Sequence, residues 1–321
     1  MKYEGQICRA PMERSSFMLP VMVGCSYNQC KFCNLFRHLK YRELPMEQIE
    51  AELQRVRDLN GKPKKIFLGD GNAFGLKPER LYEILDRIAY YFPECEGVNM
   101  DATVTSILHK SQEELEMLAA KKVKHLYLGI ESGLDDVLKF MKKDHDLAQA
   151  YRAIDRLHKA GLIYDAHIMT GVAGKGRGFE NAEALAEFLN RTNPAHVVNF
   201  SMFLHKEVPL YEDIRRGSFV PADELETLKE ERHLIERILP EKSEARVLYD
   251  GFHDFIHVRV RGKLPDDREK MLEKMDQVIK EHEGQEPVYA FVKGECPDLE
   301  YCDGKMVWDM DRTILTESSK S

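Results

Sequence analysis

Short apolar and β-branched runs alternate with longer amphipathic segments between residues 16 and 203. Apolar runs of roughly four to eight residues are typical of strands buried on both faces of a parallel sheet, so this rhythm predicts β/α units. The predicted strands are 20–23, 65–68, 97–103, 125–130, 164–169 and 195–203. The predicted helices are 46–59, 78–91, 112–122, 147–160 and 181–190.

The ends of several predicted helices carry stop and start signals. Ser111 and Glu114 form a capping box in front of one helix, and Gly161 follows another as a left-handed stop. Six β/α units either close partly into a barrel or open into a doubly wound sheet. In both architectures the reactive loops follow the carboxyl ends of the strands.

The pattern changes beyond residue 203. A helix is predicted over 222–239 and another over 266–282, with extended segments at 245–248, 252–262 and 287–292. We therefore expect a lead-in over 1–15, a core over 16–205, and a C-terminal α/β extension over 206–321 that packs on the core.

Composition narrows the class of protein. The 321 residues include 47 Lys and Arg against 55 Asp and Glu, a formal net charge of −8, and 43% are hydrophobic. This acidic balance gives no electrostatic reason to expect a nucleic acid, and a small-molecule substrate is predicted instead. The sequence shows no apolar run long enough to cross a bilayer and no secretory signal, which predicts a cytoplasmic protein without a membrane partner.

The cysteines are distributed unevenly. Three of the seven, Cys25, Cys30 and Cys33, have the spacing C-x4-C-x2-C directly after the first predicted strand. Three thiolates can hold three corners of a cubane iron–sulfur cluster and leave one iron open to a small molecule. Two alternatives are a structural zinc ion completed by His38 or Cys8, and thiols without a metal.

The chain resembles the radical S-adenosylmethionine (radical SAM) superfamily in these residues. The usual spacing there is C-x3-C-x2-C, so the first interval here has one extra residue. The resemblance implies that Cys25, Cys30 and Cys33 ligate a [4Fe-4S] cluster whose open iron binds SAM. It also implies that Phe32 packs near the adenine of SAM; Phe32 serving as a loop anchor is the alternative.

Two further strand ends match motifs of the same superfamily. Gly69, Asp70 and Gly71 stand where the family has a Gly-Gly-Glu motif for the amino group of SAM, with Asp in place of Glu. Glu131 and Ser132 lie in the string Leu-Gly-Ile-Glu-Ser-Gly, in which similar proteins use the Glu to contact the sugar or methionine part of SAM. A structural ion pair at the barrel rim is the alternative role of Glu131.

The fifth predicted strand is followed by a glycine-rich turn. Gly171 and Gly174 begin this turn, which looks like the family's glycine-rich segment and is implied to lie under SAM. The order of a phosphate-binding Walker A loop is missing there. Together, the four turns that carry these motifs, each after a predicted strand, indicate a binding site for one ligand.

The resemblance implies a fold and a reaction. The fold would be a partial (β/α)6 parallel barrel of radical SAM type with a C-terminal α/β extension, close to the HemN-like and Elp3/MiaB-like cores. The reaction would be reductive cleavage of SAM to a 5′-deoxyadenosyl radical, which abstracts hydrogen from an unidentified small substrate. An external flavodoxin-like or ferredoxin-like protein would supply the electron.

Alternatives of other classes are a SAM- and cluster-dependent transferase, and a non-catalytic zinc or iron–sulfur protein. The sequence assigns no catalytic residue. Strand alternation predicts that five polar side chains face the substrate, namely Asp101, Thr103, His167, Asn199 and Ser201. Cys296 and Cys302 are candidates for an auxiliary cluster.

Overall fold

The computed structural model describes residues 4, 9–239, 245–291, 307–309 and 314–316. The strands are Phe17–Pro20 (β1), Met22–Val23 (β2), Arg42–Glu43 (β3), Lys65–Gly69 (β4), Gly97–Ala102 (β5), Val123–Glu131 (β6), Ile163–Thr170 (β7), His196–Ser201 (β8), Val247–His253 (β9), Val258–Leu264 (β10), Val307–Asp309 (β11) and Ile314–Thr316 (β12). The helices are Met46–Asp58 (α1), Pro78–Tyr91 (α2), Val104–Leu108 (α3), Gln112–Ala120 (α4), Asp135–Phe140 (α5), Leu147–Lys159 (α6), Gly178–Thr192 (α7), Pro209–Arg215 (α8), Glu224–Arg237 (α9) and Arg268–His282 (α10).

The main sheet has eight strands in the order β1-β4-β5-β6-β7-β8-β9-β10 and is mostly parallel. Each of β4 to β8 is followed in the chain by a helix, as the alternating pattern predicts. The extension beyond residue 206 joins this sheet, because β9 pairs parallel with β8 and β10 pairs antiparallel with β9. The fold is therefore α/β, as predicted. Among the described residues, every helix is too short or too polar to span a membrane; the cytoplasmic location stays a prediction.

Several element boundaries differ from those predicted. The first predicted strand divides at Val21, so that β1 pairs with β4 while β2 pairs with β3. The helices α3, α5 and α8 were not predicted, since five to seven residues are too few to show a helical period. The extended segment predicted at 287–292 contributes only a bridge from Phe291 to Leu204 among its described residues.

The chain forms two compact units. Unit 1 comprises Met1–Gly129 and Asp144–Asp165, and unit 2 comprises Ile130–Lys143 and Ala166–Ser321. Residues 166–205 of the predicted core thus fall in the same unit as the predicted extension. The domain boundary at residue 205 stays a prediction.

Unit 1 has an apolar core to which the buried acidic side chain of Glu13 is joined by hydrogen bonds. Leu19, Ile66 and Leu68 on its strands have no solvent exposure. The carboxylate of Glu13 accepts hydrogen bonds from Asn99 Nδ2 at 2.7 Å and from the Tyr127 hydroxyl at 2.5 Å. The N-terminal segment is thereby fixed to β5 and β6.

Unit 2 is characterised by the helix α9. Its buried face combines Leu228, Leu234 and Ile235 with acidic side chains. His253 on β9 lies between two of these, with Nδ1 and Nε2 each 2.8 Å from a carboxylate oxygen of Glu224 and Glu231. A buried polar network therefore ties α9 to the sheet of this unit.

Candidate active site

The three motif cysteines lie on one irregular loop after β2. All three have intermediate exposure and are not joined in disulfide bonds. The backbone N–H of Asn28 donates to Cys25 Sγ at 3.4 Å. Within the described residues, no three His, Cys, Asp or Glu side chains converge closely enough to hold a single metal ion. Each thiolate ligand of a cubane binds a different iron, so the loop's thiols need not converge in that way.

The backbone of this loop is held mainly by Arg37. Its Nε donates to the carbonyl oxygen of Cys33 at 2.7 Å, and its Nη2 donates to the carbonyl oxygen of Cys30. Asn28, at a left-handed φ of 46°, donates from Nδ2 to the carbonyl of Phe36 at 3.1 Å. These contacts engage the backbone carbonyl groups of the loop. Phe32 is half-buried between the second and third cysteine.

The Gly69-Asp70-Gly71 turn packs against the base of the cysteine loop. A Cβ atom on Gly71, whose φ is +121°, would lie 2.4 Å from the carbonyl oxygen of Gly24 and 3.4 Å from the backbone nitrogen of Cys25. Only glycine allows this approach. The structure thus brings two of the predicted motifs together within unit 1.

Asp70 is buried, with 2% of its surface exposed. Burial raises the pKa of Asp101 to about 7, and the negative charges of Asp70 and Glu13 act in the same direction. Asp101 therefore has a pKa suited to proton exchange near neutral pH.

A cavity of about 380 Å³ adjoins the cysteine loop in unit 1. Ser26, Asn72 and Thr103 contribute to its wall, and Asn72 Nδ2 lies 3.4 Å from Ser26 Oγ and 3.3 Å from Thr103 Oγ1. Thr103 also caps α3 by accepting the N–H of Ser106 at 3.2 Å. A cavity of this volume suits a small-molecule ligand.

Glu131 ends β6 in unit 2 with a left-handed φ of 64°. A non-glycine residue is strained in this conformation, and such strain is concentrated at functional sites. Its carboxylate accepts a hydrogen bond from Lys143 Nζ at 3.1 Å, with both side chains nearly buried. The structural ion pair that was the alternative role of Glu131 is thus present. A carboxylate in such a pair still has lone pairs that can accept further hydrogen bonds.

The glycine-rich turn after β7 is held by the segment that leads into and forms α9. The Gly171 N–H donates to Glu230 Oε2 at 2.8 Å. A Cβ on Gly174 would lie 3.0 Å from the carbonyl oxygen of Val220 and 3.1 Å from the Phe219 ring. The turn is therefore formed by tertiary contacts within unit 2.

The prediction that Asn199 and Ser201 face a substrate is wrong. Asn199 Oδ1 accepts the Thr170 N–H at 3.1 Å, and Ser201 Oγ donates to the Glu224 carboxylate at 3.1 Å. Both side chains are engaged within the protein, with at most 2% of their surface exposed. Strand alternation correctly placed both residues on one face of β8, but it did not reveal that this face is covered by α9.

His167 has intermediate exposure and forms an edge-to-face contact with Phe200 at 6.3 Å between ring centroids. Burial lowers the pKa of His167 to about 4, and the neighbouring His196 and Lys143 also lower it. The imidazole is therefore neutral at pH 7, suited to hydrogen bonding rather than to charge pairing.

Asn181, Glu230, His253, Glu224 and Glu231 were not predicted as functional neighbours. A signal was present for two of them. Glu224 and Glu231 recur seven residues apart on the face of α9 that carries Leu228, Leu234 and Ile235, where a charged residue needs a buried partner. Cys8, Cys296 and Cys302 lie outside the described residues.

A sequence profile of the radical SAM superfamily matches residues 19–189, more than half of the chain. An uncharacterized protein of Methanocaldococcus jannaschii is 23% identical over 292 residues, 86% of this chain and 88% of that protein. A tRNA-2-methylthio-N(6)-dimethylallyladenosine synthase of Hahella chejuensis is 30% identical over 166 residues, 47% of this chain. The chain spans only 35% of that synthase.

Among solved structures, the radical S-adenosylmethionine methyltransferase TsrM from Kitasatospora setae, with cobalamin and a [4Fe-4S] cluster bound, superposes with a TM-score of 0.52. The identity is 14%, and the match covers 63% of this chain and 39% of TsrM. At this identity the likeness concerns the fold alone, and it confirms the partial barrel of radical SAM type. The non-catalytic alternative is overturned by the family match. The chain belongs to the radical SAM superfamily and is an enzyme that uses a [4Fe-4S] cluster and SAM.

Proposed function

We propose that Cys25, Cys30 and Cys33 hold the [4Fe-4S] cluster and that the enzyme abstracts a hydrogen atom from a small-molecule substrate. The cluster would supply one electron to SAM, and cleavage of the bond between the sulfonium sulfur and C5′ would give methionine and a 5′-deoxyadenosyl radical. This radical would take a hydrogen atom from the substrate, giving 5′-deoxyadenosine and a substrate radical. A flavodoxin-like or ferredoxin-like protein is the proposed electron donor.

The observation that carries this proposal is the contact between the cysteine loop and the Gly69-Asp70-Gly71 turn. Gly71 leaves no room for a side chain beside Gly24, so the two backbones approach closely next to Cys25. The contact presents glycine backbone and the Gly24 carbonyl oxygen beside one of the three proposed cluster ligands. Such a surface can accept hydrogen bonds from the amino group of SAM. The donor set fits the cluster.

The remaining cofactor contacts are proposed from chemistry. Glu131 would accept hydroxyl hydrogen bonds from the ribose, with Ser132 beside it, as a carboxylate does in dinucleotide sites. Gly171 and Gly174, both at left-handed φ, would let the backbone run close under SAM. Phe32 would pack near the adenine.

The protein's task toward substrate is to bind it and to exclude water. We propose Asp101 and His167, each from its own chemistry, as residues that contact substrate. Asp101 titrates near pH 7 and can hold or release a proton, whereas neutral His167 can donate one hydrogen bond. The cavity whose wall includes Ser26 and Asn72 supports a small-molecule substrate.

A second candidate function is group transfer from SAM. It is favoured by the match to the Hahella synthase, whose name describes the synthesis of a methylthio-modified tRNA. If the methyl group left SAM, atom balance requires S-adenosylhomocysteine as a product. Quantifying S-adenosylhomocysteine and 5′-deoxyadenosine in one reaction separates the two functions.

Anaerobic cluster reconstitution followed by SAM and dithionite tests the proposal. We expect absorption at about 400 nm, from thiolate-to-iron charge transfer, and formation of 5′-deoxyadenosine. The C25A/C30A/C33A variant should lose both. The variant should still fold, because the three side chains lie on a half-exposed loop.

Cys95 provides the matched control. It is 2% exposed, and its thiol contacts the carbonyl oxygens of Gly97 and Lys64 at 3.4 and 3.7 Å. C95A should keep the cluster and the product. A triple variant that still forms 5′-deoxyadenosine would refute the assignment of the three ligands.

A further inference from the structure

The turns after β6 and β7 are joined by a chain of hydrogen bonds in unit 2. Ser132 Oγ donates to Asn181 Oδ1 at 2.6 Å, and the Gly133 N–H donates to the same oxygen at 3.4 Å. Asn181 Nδ2 donates to Glu230 Oε1 at 2.7 Å. Glu230 Oε2 accepts the Gly171 N–H at 2.8 Å. One amide and one carboxylate thus connect the two turns.

The three side chains of this hydrogen-bond chain are buried. Ser132 and Asn181 have no exposure, and Glu230 has 1%. Donors and acceptors are matched, because the carboxylate offers one oxygen to each neighbour and the amide presents both its oxygen and its nitrogen. A buried network of this kind is rigid, and a buried polar group in it that loses its hydrogen-bond partner lowers the free energy of unfolding.

Glu230 belongs to α9, which lies beyond the residues matched by the superfamily profile. The same region holds the rest of the glycine-rich turn. The Lys175 N–H donates to the Val220 carbonyl at 2.8 Å, and the Gly176 N–H donates to the Glu226 carboxylate. The C-terminal segment therefore contributes to a site whose recognised motifs all lie elsewhere.

We infer that Asn181 and Glu230 are positioning residues for SAM, which fix the Glu131-Ser132 turn and the Gly171 turn relative to each other. The inference rests on the proposed assignment of these two turns to SAM. Neither residue needs to touch the ligand. Their role is to keep two binding surfaces in one arrangement before SAM arrives, which lowers the cost of ordering them on binding.

The amide and the carboxylate permit a reciprocal exchange. In N181D two carboxyl groups face each other, and no donor remains between them. In N181D/E230Q the new amide on α9 donates to the new carboxylate on α7, which still accepts from Ser132 and Gly133. The amide oxygen on α9 still accepts the Gly171 N–H. Each hydrogen bond of the chain is restored, while the amide and the carboxylate have changed places.

The test is the Kd of SAM for the reconstituted full-length enzyme, measured by equilibrium dialysis at about pH 9. Burial raises the pKa of Glu230 to about 8, although hydrogen bonds from Asn181 and Gly171 oppose this, so at that pH the carboxyl is ionised. N181D should raise Kd about tenfold or more, the expected effect of losing a charge-assisted hydrogen bond. N181D/E230Q should return Kd to within about threefold of wild type.

Y249F is the matched control. It removes the hydroxyl that donates to Glu231 Oε1 at 2.8 Å. Glu231 lies on the same helix as Glu230 but is not one of the residues whose hydrogen bonds connect the two turns. Its thermal unfolding midpoint should fall while Kd changes less than about twofold. If N181D does not fold, N181S removes the donor to Glu230 without adding charge and should raise Kd several-fold.

A folded N181D or N181S enzyme that binds SAM like wild type would overturn the inference. So would Y249F weakening SAM binding as much as N181D does, or a double variant without recovery. Wild type that fails to bind SAM would instead overturn the proposed cofactor contacts. These failures are distinguishable because the wild-type measurement comes first.

Discussion

The cysteine loop of unit 1 and the glycine-rich turn of unit 2 are held in opposite ways. In the loop, Arg37 binds two backbone carbonyls while the thiols stay half-exposed. In the turn, backbone N–H groups bind buried or partly buried acceptors, among them Glu230 and the Val220 carbonyl. The loop therefore presents side chains for a ligand, whereas the turn presents backbone that is already fixed.

The two regions therefore depend on different interactions for their ordered conformation. Metal binding couples to folding when the ligands are flexible in the apo protein. A turn held by buried side chains of its own unit needs no ligand to form. We expect the cluster to order the loop and SAM to find the turn preformed.

Removing the cluster should produce the largest difference in behaviour between the loop and the turn. After anaerobic chelation, amide hydrogen exchange over 25–38 should accelerate about a hundredfold, because the loop loses its ligand-derived restraint. Exchange over 171–176 should change little. Mass spectrometry of peptic fragments measures both segments in one sample. Equal acceleration of both segments would contradict the comparison.

The buried network on the turn side should show in the pH dependence of stability. Burial alone would lower the pKa of His253, but hydrogen bonds and charge from Glu224 and Glu231 outweigh it and raise the pKa to about 10. A histidine pKa raised on folding stabilises the protein fully below the unfolded pKa of about 6.5, and this stabilisation is lost as pH rises through 10.

Urea unfolding between about pH 8 and pH 10 measures this effect. The free energy of unfolding of wild type should fall ~2 kcal/mol more than that of H253Q. Glu230, whose pKa is about 8, titrates at the lower end of this window in both proteins. Parallel pH profiles for the two proteins would count against a charged His253.

A methyl group at Gly71 tests the contact at the base of the loop. G71A must move the Gly24 carbonyl, 2.4 Å from the new Cβ, and with it the backbone next to Cys25. We expect 5′-deoxyadenosine formation to fall about tenfold. G161A is the control, since Gly161 also has a left-handed φ, of +73°, but has nothing within 4 Å.

The outcome for G161A should be a loss of stability of roughly 1–2 kcal/mol with the reaction rate preserved. If both variants lose product formation equally, left-handed strain rather than the close approach at Gly71 explains the loss.

The smallest effect is expected from the arginine that holds the loop. R37L should release iron to a chelator about threefold faster, because the carbonyls of Cys30 and Cys33 lose their donor. R42L is the control, since Arg42 is half-exposed and its side chain pairs with Glu4. Identical release rates for R37L and wild type would show that the loop is held by other contacts.

Local patterns in the sequence predicted the framework of this molecule. The apolar runs at 65–68 and 125–130 became the centres of β4 and β6, because a strand buried on both faces leaves a continuous apolar signature. The cysteine loop and the glycine turns were recognised because their chemistry is local in the chain. The roles of Glu131, Gly171 and the three cysteines stay predictions.

The parts that escaped prediction depend on distant pairing. Asn181 and Glu230 are 49 residues apart, and neither an Asn in a helix nor a Glu in an amphipathic helix signals its partner. Asn199 was assigned to the wrong face because the face of a strand that is covered depends on where a later helix packs. Such choices are made by tertiary contacts, which sequence periodicity does not encode.

The position of Glu230 has a consequence for transplanting this protein's catalytic region. A shortened chain that ends soon after residue 189 would keep every recognised motif, yet the Asn181 amide and the Gly171 N–H would lose their shared acceptor. Both donors would then turn to solvent, and the two turns would move independently. An engineer who grafts this barrel must therefore carry α9 along with it.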